Sequence, residues 1–329
     1  MDIKIGRGAV SNLRDIVDEM RPYKVAVITD GNVARLHMEA LGDLKAVHII
    51  LPPGERAKSI EAAIHIWKKM ISEGFTRKSL VIGFGGGVIT DLAGFVASTF
   101  MRGLPLILLP TTLIAQIDAA IGGKTGINFE GKNIIGTFYS PERILIDPGF
   151  LKTLPPEEWK NGYGELVKYA ILSREIYETL WKKKGVDEEV IRLCVNYKIG
   201  VVKEDMREQG KRRVLNLGHT FAHALEKLSG YTIKHGIAVA QGLRFAGMLS
   251  HKLYGFDPAP LNSLLDAFEI SFSISFKPRE ILSAMKNDKK FWYGKMVFVL
   301  PVEIGRVIIE EVQENLILET LEDMLCSQV

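Results

Sequence analysis

The sequence predicts an α/β domain followed by a mainly α-helical domain, and two observations carry this prediction. Up to residue 153, short apolar runs typical of buried strands alternate with segments of helical spacing. This alternation indicates a doubly wound, mostly parallel, Rossmann-like sheet. After Pro155-Pro156 the alternation stops, and longer segments of helical spacing follow. We therefore predict two domains, residues 1–153 and residues 154–329.

Apolar runs that end in polar or turn-forming residues mark the strands of the first domain. They cover residues 24–30, 46–51, 80–84, 104–109 and 143–147. Residues 59–72 predict a helix, since their apolar side chains would share one face. In the second domain we predict helices at 157–184, 188–206, 218–229, 236–254 and 261–268, then a hairpin at 295–300 and 305–312 and a final helix.

Composition argues against several classes of protein. The 42 Lys and Arg residues nearly balance the 39 Asp and Glu residues, which argues against a nucleic-acid-binding protein. Two cysteines, Cys194 and Cys326, are too few for a disulfide framework and indicate a reducing cytoplasm. No apolar run reaches the roughly 18 residues of a membrane span, and residues 1–10 lack the apolar core of a signal peptide. We therefore expect no membrane segment.

A glycine-rich turn is the first candidate for a binding site. Gly85, Gly86 and Gly87 directly follow the apolar run at 80–84, and helical spacing begins after them. The unpaired N–H groups at a helix start favour anions, and glycines let a phosphate approach the backbone. Such turns also occur without a ligand. Position 88 is moreover Val, where the usual dinucleotide-binding spacing needs a glycine.

Charged residues follow the predicted strand ends. Asp91 comes after the glycines, and Asp118 and Lys124 come after the strand at 104–109. Ligands of open α/β sheets bind at the carboxyl ends of the strands. These three residues and Arg102 are therefore candidates for one crevice.

Histidines of the second domain are candidates for a metal site. His219 and His223 lie four residues apart and would share one helix face, and His235 follows. Glu165 and Lys168, three apart, add a carboxylate and an ammonium group. A Glu with two His is a common catalytic zinc set. Spacing alone favours His219 and His223 as the ligands, but ordinary helix residues and a surface ion pair would give the same pattern.

The segment at 79–128 resembles the 3-dehydroquinate synthase family, which carries GGGVxGDLAGF, PTTLLAQxD and GGKTGxN motifs; Thr90 stands for a usual glycine. The family's G-x-x-E-x-x-K, N-x-G-H-x-x-x-H and H-G motifs also match in order. The resemblance implies that Glu165, His219 and His235 bind one divalent metal, zinc or alternatively cobalt. It implies that His223 lies near the substrate without binding the metal.

The same resemblance implies the other site residues. Around the substrate these are Arg102, Asp118, Lys124, Lys168, Lys198, Glu208, Arg212 and Asn216, with Arg102 reaching the phosphate. Around NAD they are Asp30, Asn32, Glu55, Lys58, Gly85, Gly86, Gly87, Asp91, Thr111, Thr112, Lys124, Lys132, Asn133, Phe150 and Thr153. A late lysine motif matches Asp288-Lys289-Lys290 without indicating which lysine corresponds. Without the resemblance, Arg212 would be interpreted as a solvated charge in a basic run.

The resemblance also implies a reaction. A phosphate-eliminating carbon–oxygen lyase of the shikimate pathway would convert 3-deoxy-D-arabino-heptulosonate 7-phosphate to 3-dehydroquinate and phosphate. The steps would be transient oxidation by NAD, β-elimination of phosphate, re-reduction and aldol closure. The first domain would bind NAD and the second metal and substrate, in a cytoplasmic homodimer. Two departures are Ala222, where glycine is usual, and Ile237, which removes a frequent Glu and thus an acceptor near His235.

Three alternatives stay open at this point. A related sugar-phosphate cyclase would close another ring by the same steps, although Lys124, Arg212 and Asn216 match 3-dehydroquinate synthase. A metal-dependent polyol dehydrogenase would release NADH and would need fewer phosphate-binding cations. A nucleotide-binding protein without enzymatic activity would leave Glu165 and the histidines without a purpose.

Overall fold

The computed structural model describes residues 2–270, 273–286 and 296–326. The chain divides into a first unit, Met1–Pro155 with Asp187–Ile199, and a second unit, Pro156–Val186 with Gly200–Val329. The sequence did not predict that residues 187–199 belong with the first unit. Two hydrogen bonds within that unit explain it: Arg192 donates to the carbonyl of Ile5 at 2.9 Å, and Lys198 to the carbonyl of Asp118 at 2.6 Å.

The first unit contains a parallel sheet with helical connections, so the predicted fold class is confirmed. Its strands are β1 (Asp2–Ile5), β2 (Val25–Asp30), β3 (Val47–Leu51), β4 (Leu80–Gly85), β5 (Leu106–Pro110), β6 (Lys124–Ile127), β7 (Ile135–Phe138) and β8 (Arg143–Ile146). Its helices are α1 (Leu13–Met20), α2 (Gly31–His37), α3 (Ile60–Ser72) and α4 (Gly87–Thr99). In the described residues, six strands pair in the order β1-β8-β5-β4-β2-β3, all parallel.

Helices cover both faces of this sheet, which explains the unbroken apolar runs of the central strands. On one face, Leu80, Ile82 and Phe84 of β4 pack in a core that also includes Leu13 of α1. On the other face, α4 lies so close that a Cβ atom on Gly83 would come within 2.7 Å of Ala93. The antiparallel hairpin β6–β7, which the sequence did not predict, is exposed along much of its length.

The second unit is mainly helical, as predicted. The helices are α5 (Pro156–Leu172), α6 (Arg174–Lys183), α7 (Glu188–Glu204, of which residues up to 199 belong to the first unit), α8 (His219–Leu228), α9 (His235–Tyr254), α10 (Ala259–Ala267), α11 (Pro278–Lys286) and α12 (Glu314–Cys326). An antiparallel hairpin joins β9 (Met296–Glu303) to β10 (Arg306–Val312). No helix formed by the described residues is long and apolar enough to cross a membrane.

Two features of the second unit differ from what the sequence predicted. The single helix predicted at 157–184 is wrong, because Ser173 ends α5 and caps α6 by accepting a hydrogen bond from the N–H of Ile176. The sequence also did not predict α11. Residue 295 of the predicted hairpin and the Asp288-Lys289-Lys290 motif lie outside the described residues.

Candidate active site

Three side chains from three helices of the second unit converge at one point. Glu165 lies in α5, while His219 and His235 are the first residues of α8 and α9. Oε1 of Glu165 is 3.0 Å from Nε2 of His235 and 3.3 Å from Nε2 of His219. One ligand atom from each residue lies within 4.8 Å of the other two, as the ligands of a single ion must.

Glycines beside the ligands permit this convergence. A Cβ atom on Gly164 would lie 1.8 Å from the carbonyl oxygen of Gly236, and one on Gly236 would lie 1.6 Å from that of Asn161. The backbones of α5 and α9 therefore touch directly beside Glu165 and His235. In the sequence, Gly236 belongs to the H-G motif, and Gly164 occupies an unassigned position of G-x-x-E-x-x-K. A glycine next to each of these two ligands was the signal for a close helix approach.

We expect Gly236→Ala to destabilise the protein by about 3 kcal/mol or more, because the added methyl group would overlap a backbone carbonyl that cannot yield. Gly200→Ala, in α7, is the matched control, since no heavy atom lies within 4 Å of its Cβ position. Alanine is the better helix former there and should stabilise by roughly 0.4–1 kcal/mol. Urea unfolding of both variants checks the prediction, and equal midpoints would contradict it.

Hydrogen bonds determine which nitrogen of each imidazole faces Glu165. Nδ1 of His219 lies 3.1 Å from the carbonyl oxygen of Leu217, which can only accept, so Nδ1 carries the proton. Nδ1 of His235 lies 3.3 Å from Oε2 of Glu226. The Nε2 atoms of both rings therefore point to Oε1 of Glu165, where a divalent ion would replace any proton on Nε2 and bind all three groups. This donor set fits one divalent metal ion.

The charges at this site follow from burial and from contacts between its members. Burial alone would raise the pKa of the Glu165 carboxyl, but Lys168 and His219 hold it well below its usual range. Burial lowers the pKa of His219 to about 4, against the attraction of Glu165. Burial also disfavours a charged His235, but hydrogen bonds to Glu165 and Glu226 raise its pKa to about 9. A metal ion here would displace the proton from Nε2 of His235.

Lys168 and His223 border the three ligands. Nζ of Lys168 lies 2.5 Å from Oε2 of Glu165, and their side chains are 2% and 0% exposed, so this is not a surface ion pair. Lys168 thereby orients the carboxylate with Oε1 toward the rings. The His223 ring centroid is 5.6 Å from that of His219. The converging group contains His235 and not His223, which disfavours the spacing-based choice of His219 and His223.

Arg212 is buried, contrary to its interpretation as a solvated charge, and its side chain is held by the backbone. Its guanidinium donates to the carbonyl of Met206 at 2.7 Å, and its N–H donates to Asp205 at 3.0 Å. Asn216, at the end of the same turn, donates its side-chain amide to Glu208. These residues form a polar group in the second unit, and their role toward a substrate stays a prediction.

In the first unit, the predicted strand–turn–helix around the glycines is confirmed. Gly85 ends β4, Gly86 precedes α4 and Gly87 begins it. The N–H of Thr111, at the end of β5, donates to the carbonyl of Gly85 at 3.0 Å. A Cβ atom on Gly86 would meet only the Thr112 side chain within 3.4 Å, at 3.0 Å from its methyl group. The N–H groups at the start of α4 suit an anion.

We expect Gly86→Val to weaken NAD binding at least tenfold, since side-chain bulk would keep the pyrophosphate from the helix N-terminus. The fold should survive, because the one close contact is with a side-chain methyl group. Gly185→Val is the control, at a loop position whose nearest atom is 3.9 Å away. Titration of the protein with NAD, followed by protein fluorescence, checks this prediction. An unchanged affinity in Gly86→Val would exclude the predicted location of the NAD pyrophosphate at these glycines.

Several other predicted NAD residues form one polar cluster. Nζ of Lys58 lies 2.5 Å from Oδ2 of Asp91 and 2.5 Å from Oδ1 of Asn133. Burial raises the pKa of Asp91, against the pull of Lys58. Asn128 donates its amide to Glu55 at 2.9 Å and accepts the N–H of Asn133 at 3.0 Å. Asn128, the last residue of the GGKTGxN motif, was not among the predicted site residues.

The remaining predicted residues of this unit have mostly local contacts. Asp30 caps α2 by accepting the N–H groups of Asn32 and Val33. Phe150 packs on Phe84 in the core, and Thr153 contacts His37. Asp118 lies in a π-helical turn, Ala115–Ala119, where Nζ of Lys198 is 3.0 Å from its Oδ1. Lys124 begins β6 opposite Phe138, and Lys132 lies between β6 and β7.

Arg102 does not share the sheet edge at which Gly85 lies. It is exposed, with φ of 70°, and it precedes β5 by four residues. Since β4 and β5 run parallel in register, the start of β5 lies at the opposite edge from Gly85. Within the first unit, Arg102 therefore does not lie at the carboxyl ends of the strands, where one crevice was predicted for it and the other charged residues. Its contact with a substrate phosphate stays a prediction.

Comparisons with known proteins agree with these features. Residues 48–161 match the family model described as 3-dehydroquinate synthase N-terminal, and residues 162–291 match the C-terminal one. The 3-dehydroquinate synthase of Pyrococcus abyssi is 53% identical over 323 residues, covering 96% of this chain and 97% of its own. That of Halalkalibacterium halodurans is 36% identical, covering 97% of this chain and 94% of its own.

Solved structures share the fold over nearly the whole chain. A Streptomyces hygroscopicus 2-epi-5-epi-valiolone synthase with NAD⁺ and Zn²⁺ bound has a TM-score of 0.89 and 26% identity, covering 100% of this chain and 97% of its own. A 2-deoxy-scyllo-inosose synthase has a TM-score of 0.84 and 22% identity, covering 98% and 96%. With the Glu-His-His group, this fold is that of the sugar-phosphate cyclases. The chain belongs to the 3-dehydroquinate synthase family, and it is an enzyme.

Proposed function

We propose that this chain converts 3-deoxy-D-arabino-heptulosonate 7-phosphate to 3-dehydroquinate and phosphate, a step of the shikimate pathway, with NAD and one divalent metal ion. The observation that carries the proposal is the convergence of Glu165, His219 and His235 in a chain of this family. The NAD⁺ and Zn²⁺ bound to the 2-epi-5-epi-valiolone synthase structure support the choice of cofactors. Zinc is our first choice, and the Co²⁺ bound to the 2-deoxy-scyllo-inosose synthase structure makes cobalt the alternative.

When bound, NAD supplies the transient oxidation and re-reduction of one substrate hydroxyl, and the metal polarises that hydroxyl. The chain's residues hold and orient the reacting groups. Lys168 keeps the Glu165 carboxylate turned toward the two histidines. His223, beside His219, is our candidate for transferring a proton to or from the substrate.

The substrate carries a phosphate and a carboxylate, so the enzyme needs several cations. We assign this role to Arg102, Lys124, Lys198 and Arg212. Guanidinium groups bind phosphate and carboxylate oxygens in pairs, which fixes the direction in which the phosphate leaves. Cations that remain beside the departing phosphate stabilise the charge that develops on it. Asp118, Glu208 and Asn216 would orient the substrate and these cations.

We assign NAD to the first unit, with its pyrophosphate at Gly85, Gly86 and Gly87. Asp91 would lie near the nicotinamide, and Asp30, Asn32, Glu55 and Lys58 on the adenosine side. The further NAD contacts are Thr111, Thr112, Lys124, Lys132, Asn133, Phe150 and Thr153. The Lys58–Asp91 pair, whose side chains are 5% and 21% exposed, supports this assignment, since a polar cluster beside the glycines can orient a bound dinucleotide. The homodimer and the cytoplasmic location stay predictions, the first to be checked by size-exclusion chromatography with light scattering.

The experiment is steady-state turnover of the heptulosonate phosphate by zinc-loaded protein with NAD far below the substrate concentration. We expect many equivalents of phosphate per NAD without net NADH, because the oxidation is reversed in each turnover. Chelator-treated protein is the control and should be inactive until metal is restored.

Other outcomes would identify the alternatives. One NADH per substrate, with a polyol as the preferred substrate, would indicate a dehydrogenase. Phosphate release from a different sugar phosphate, but not from the heptulosonate, would indicate another sugar-phosphate cyclase. NAD binding without turnover of any of these substrates would indicate a nucleotide-binding protein.

A further inference from the structure

We infer that Glu226 is a positioning residue that holds His235 in the orientation and tautomer needed to bind the metal. The inference rests on the proposed metal site. Glu226 lies in α8, two turns after His219, and only 2% of it is exposed. Its Oε2 atom accepts a hydrogen bond from Nδ1 of His235 at 3.3 Å. No role follows for Glu226 from the sequence, in which it is one acidic residue on a helix.

The geometry around His235 has the form of a carboxylate–histidine–metal arrangement. Nδ1 faces Glu226 and Nε2 faces Oε1 of Glu165, at 3.3 Å and 3.0 Å. A proton held on Nδ1 leaves the Nε2 lone pair for a metal ion, and a carboxylate partner makes that nitrogen a stronger donor. His235 is 28% exposed and begins its helix, so it has freedom that such a hydrogen bond would remove.

His219 shows the same arrangement with a different acceptor. Its Nδ1 donates to the carbonyl of Leu217 at 3.1 Å, so the local backbone of the turn holds this ring. His235 follows Lys234, and in the structure the acceptor for its Nδ1 comes from another helix. Ile237, two residues after His235, has no polar atom in its side chain. Glu226 therefore supplies the acceptor that position 237 cannot.

Burial of Glu226 fits this role. A carboxylate taken out of water costs several kcal/mol unless it is paired. Helix α8 could close its packing with an apolar residue at this position, as it does at Ala222 and Leu225. Orienting the His235 ring for metal binding is a function that explains why a carboxylate occupies this buried position despite its desolvation free energy.

The test uses Glu226→Gln, which keeps the shape of the side chain but removes the charged acceptor. We expect the Kd for Co²⁺, measured on metal-free protein by competition with a chelating dye, to rise about 10- to 100-fold. We also expect the visible absorption bands of the bound Co²⁺ to shift, because a neutral amide binds the Nδ1 proton more weakly and can instead donate to Nδ1, so the tautomer and orientation of His235 are no longer fixed. Glu226→Asp, whose shorter carboxylate retreats from the ring, should weaken binding in the same direction.

Ser250→Ala is the matched control. Ser250 lies in α9, the helix of His235, and is buried with its hydroxyl bonded to the carbonyl of Pro301. Its replacement removes a buried hydrogen bond without touching the metal ligands. We expect its Co²⁺ Kd within twofold of wild type and its absorption bands unchanged, even if its unfolding temperature falls.

The outcomes separate this inference from the proposed function. If the wild-type protein binds no Co²⁺, the metal site and the inference both fail. If it binds Co²⁺ and Glu226→Gln has a Kd within twofold or unshifted bands, only the inference fails. Equal weakening in Ser250→Ala would likewise overturn it, since a loss of general stability would then explain both variants.

Discussion

His235→Ala should lose its metal and with it nearly all activity. A site of one carboxylate and two imidazoles that keeps only Glu165 and His219 cannot hold an ion against competing water, so we expect metal affinity to fall at least about 100-fold. The polarising effect of a metal is worth several kcal/mol, and its loss lowers the rate by roughly 10² to 10³-fold or more. Elemental analysis of the purified variant and phosphate-release assays measure the two effects.

His251→Ala is the matched control for His235→Ala. His251 lies in the same helix, α9, and its ring bonds to the carbonyl of Phe256, away from the three ligands. Loss of the His251 ring and its hydrogen bond should lower the free energy of unfolding slightly and leave metal content at one ion per chain. Full metal content in His235→Ala would show that the ligand assignment is wrong. Loss of metal in both variants would show that α9, and not the ligand, had been damaged.

Arg212→Ala should reduce activity by about 10² to 10³-fold while NAD binding changes by less than about threefold. Arg212 is 2% exposed, and its guanidinium donates to the Met206 carbonyl, so the group is held in a fixed direction. Removal of one preformed donor from a charged transition state costs about 3–4 kcal/mol, which sets the expected loss. NAD affinity should persist because the residues that we assign to it belong to the first unit.

Lys211→Ala is the control for charge, since Lys211 is adjacent, 60% exposed and paired with Glu204 on the surface. It removes the same charge from the same basic run and should keep activity within twofold. If Arg212→Ala stays within a few-fold of wild type, Arg212 does not bind the substrate. An equal loss of NAD affinity would instead indicate that Arg212 supports the shape of the active site. Arg212→Lys should recover little, because an ammonium group cannot form the paired contact.

The amino-acid sequence alone was sufficient for the fold class and for most elements. The apolar runs at 80–84 and 104–109 predicted β4 and β5 within two residues at each end, because strands covered on both faces need apolar side chains throughout. The sequence also indicated Glu165, His219 and His235 together, through motifs and not through spacing. Helical spacing alone pointed to His219 and His223, since periodicity describes one helix and contains no information about its neighbours.

Tertiary structure decided what depends on contacts between distant segments. The membership of residues 187–199 in the first unit and the location of Arg102 at the far sheet edge both follow from how elements pack. The burial of the Glu165–Lys168 pair and of Arg212 also follows from packing between elements. The sequence does not show whether a charged residue is exposed to water or buried under a helix. Only the packing of the chain distinguishes an exposed charge from a buried one. Glu226 is the clearest case, because its hydrogen bond to His235 exists only once α8 and α9 are packed together.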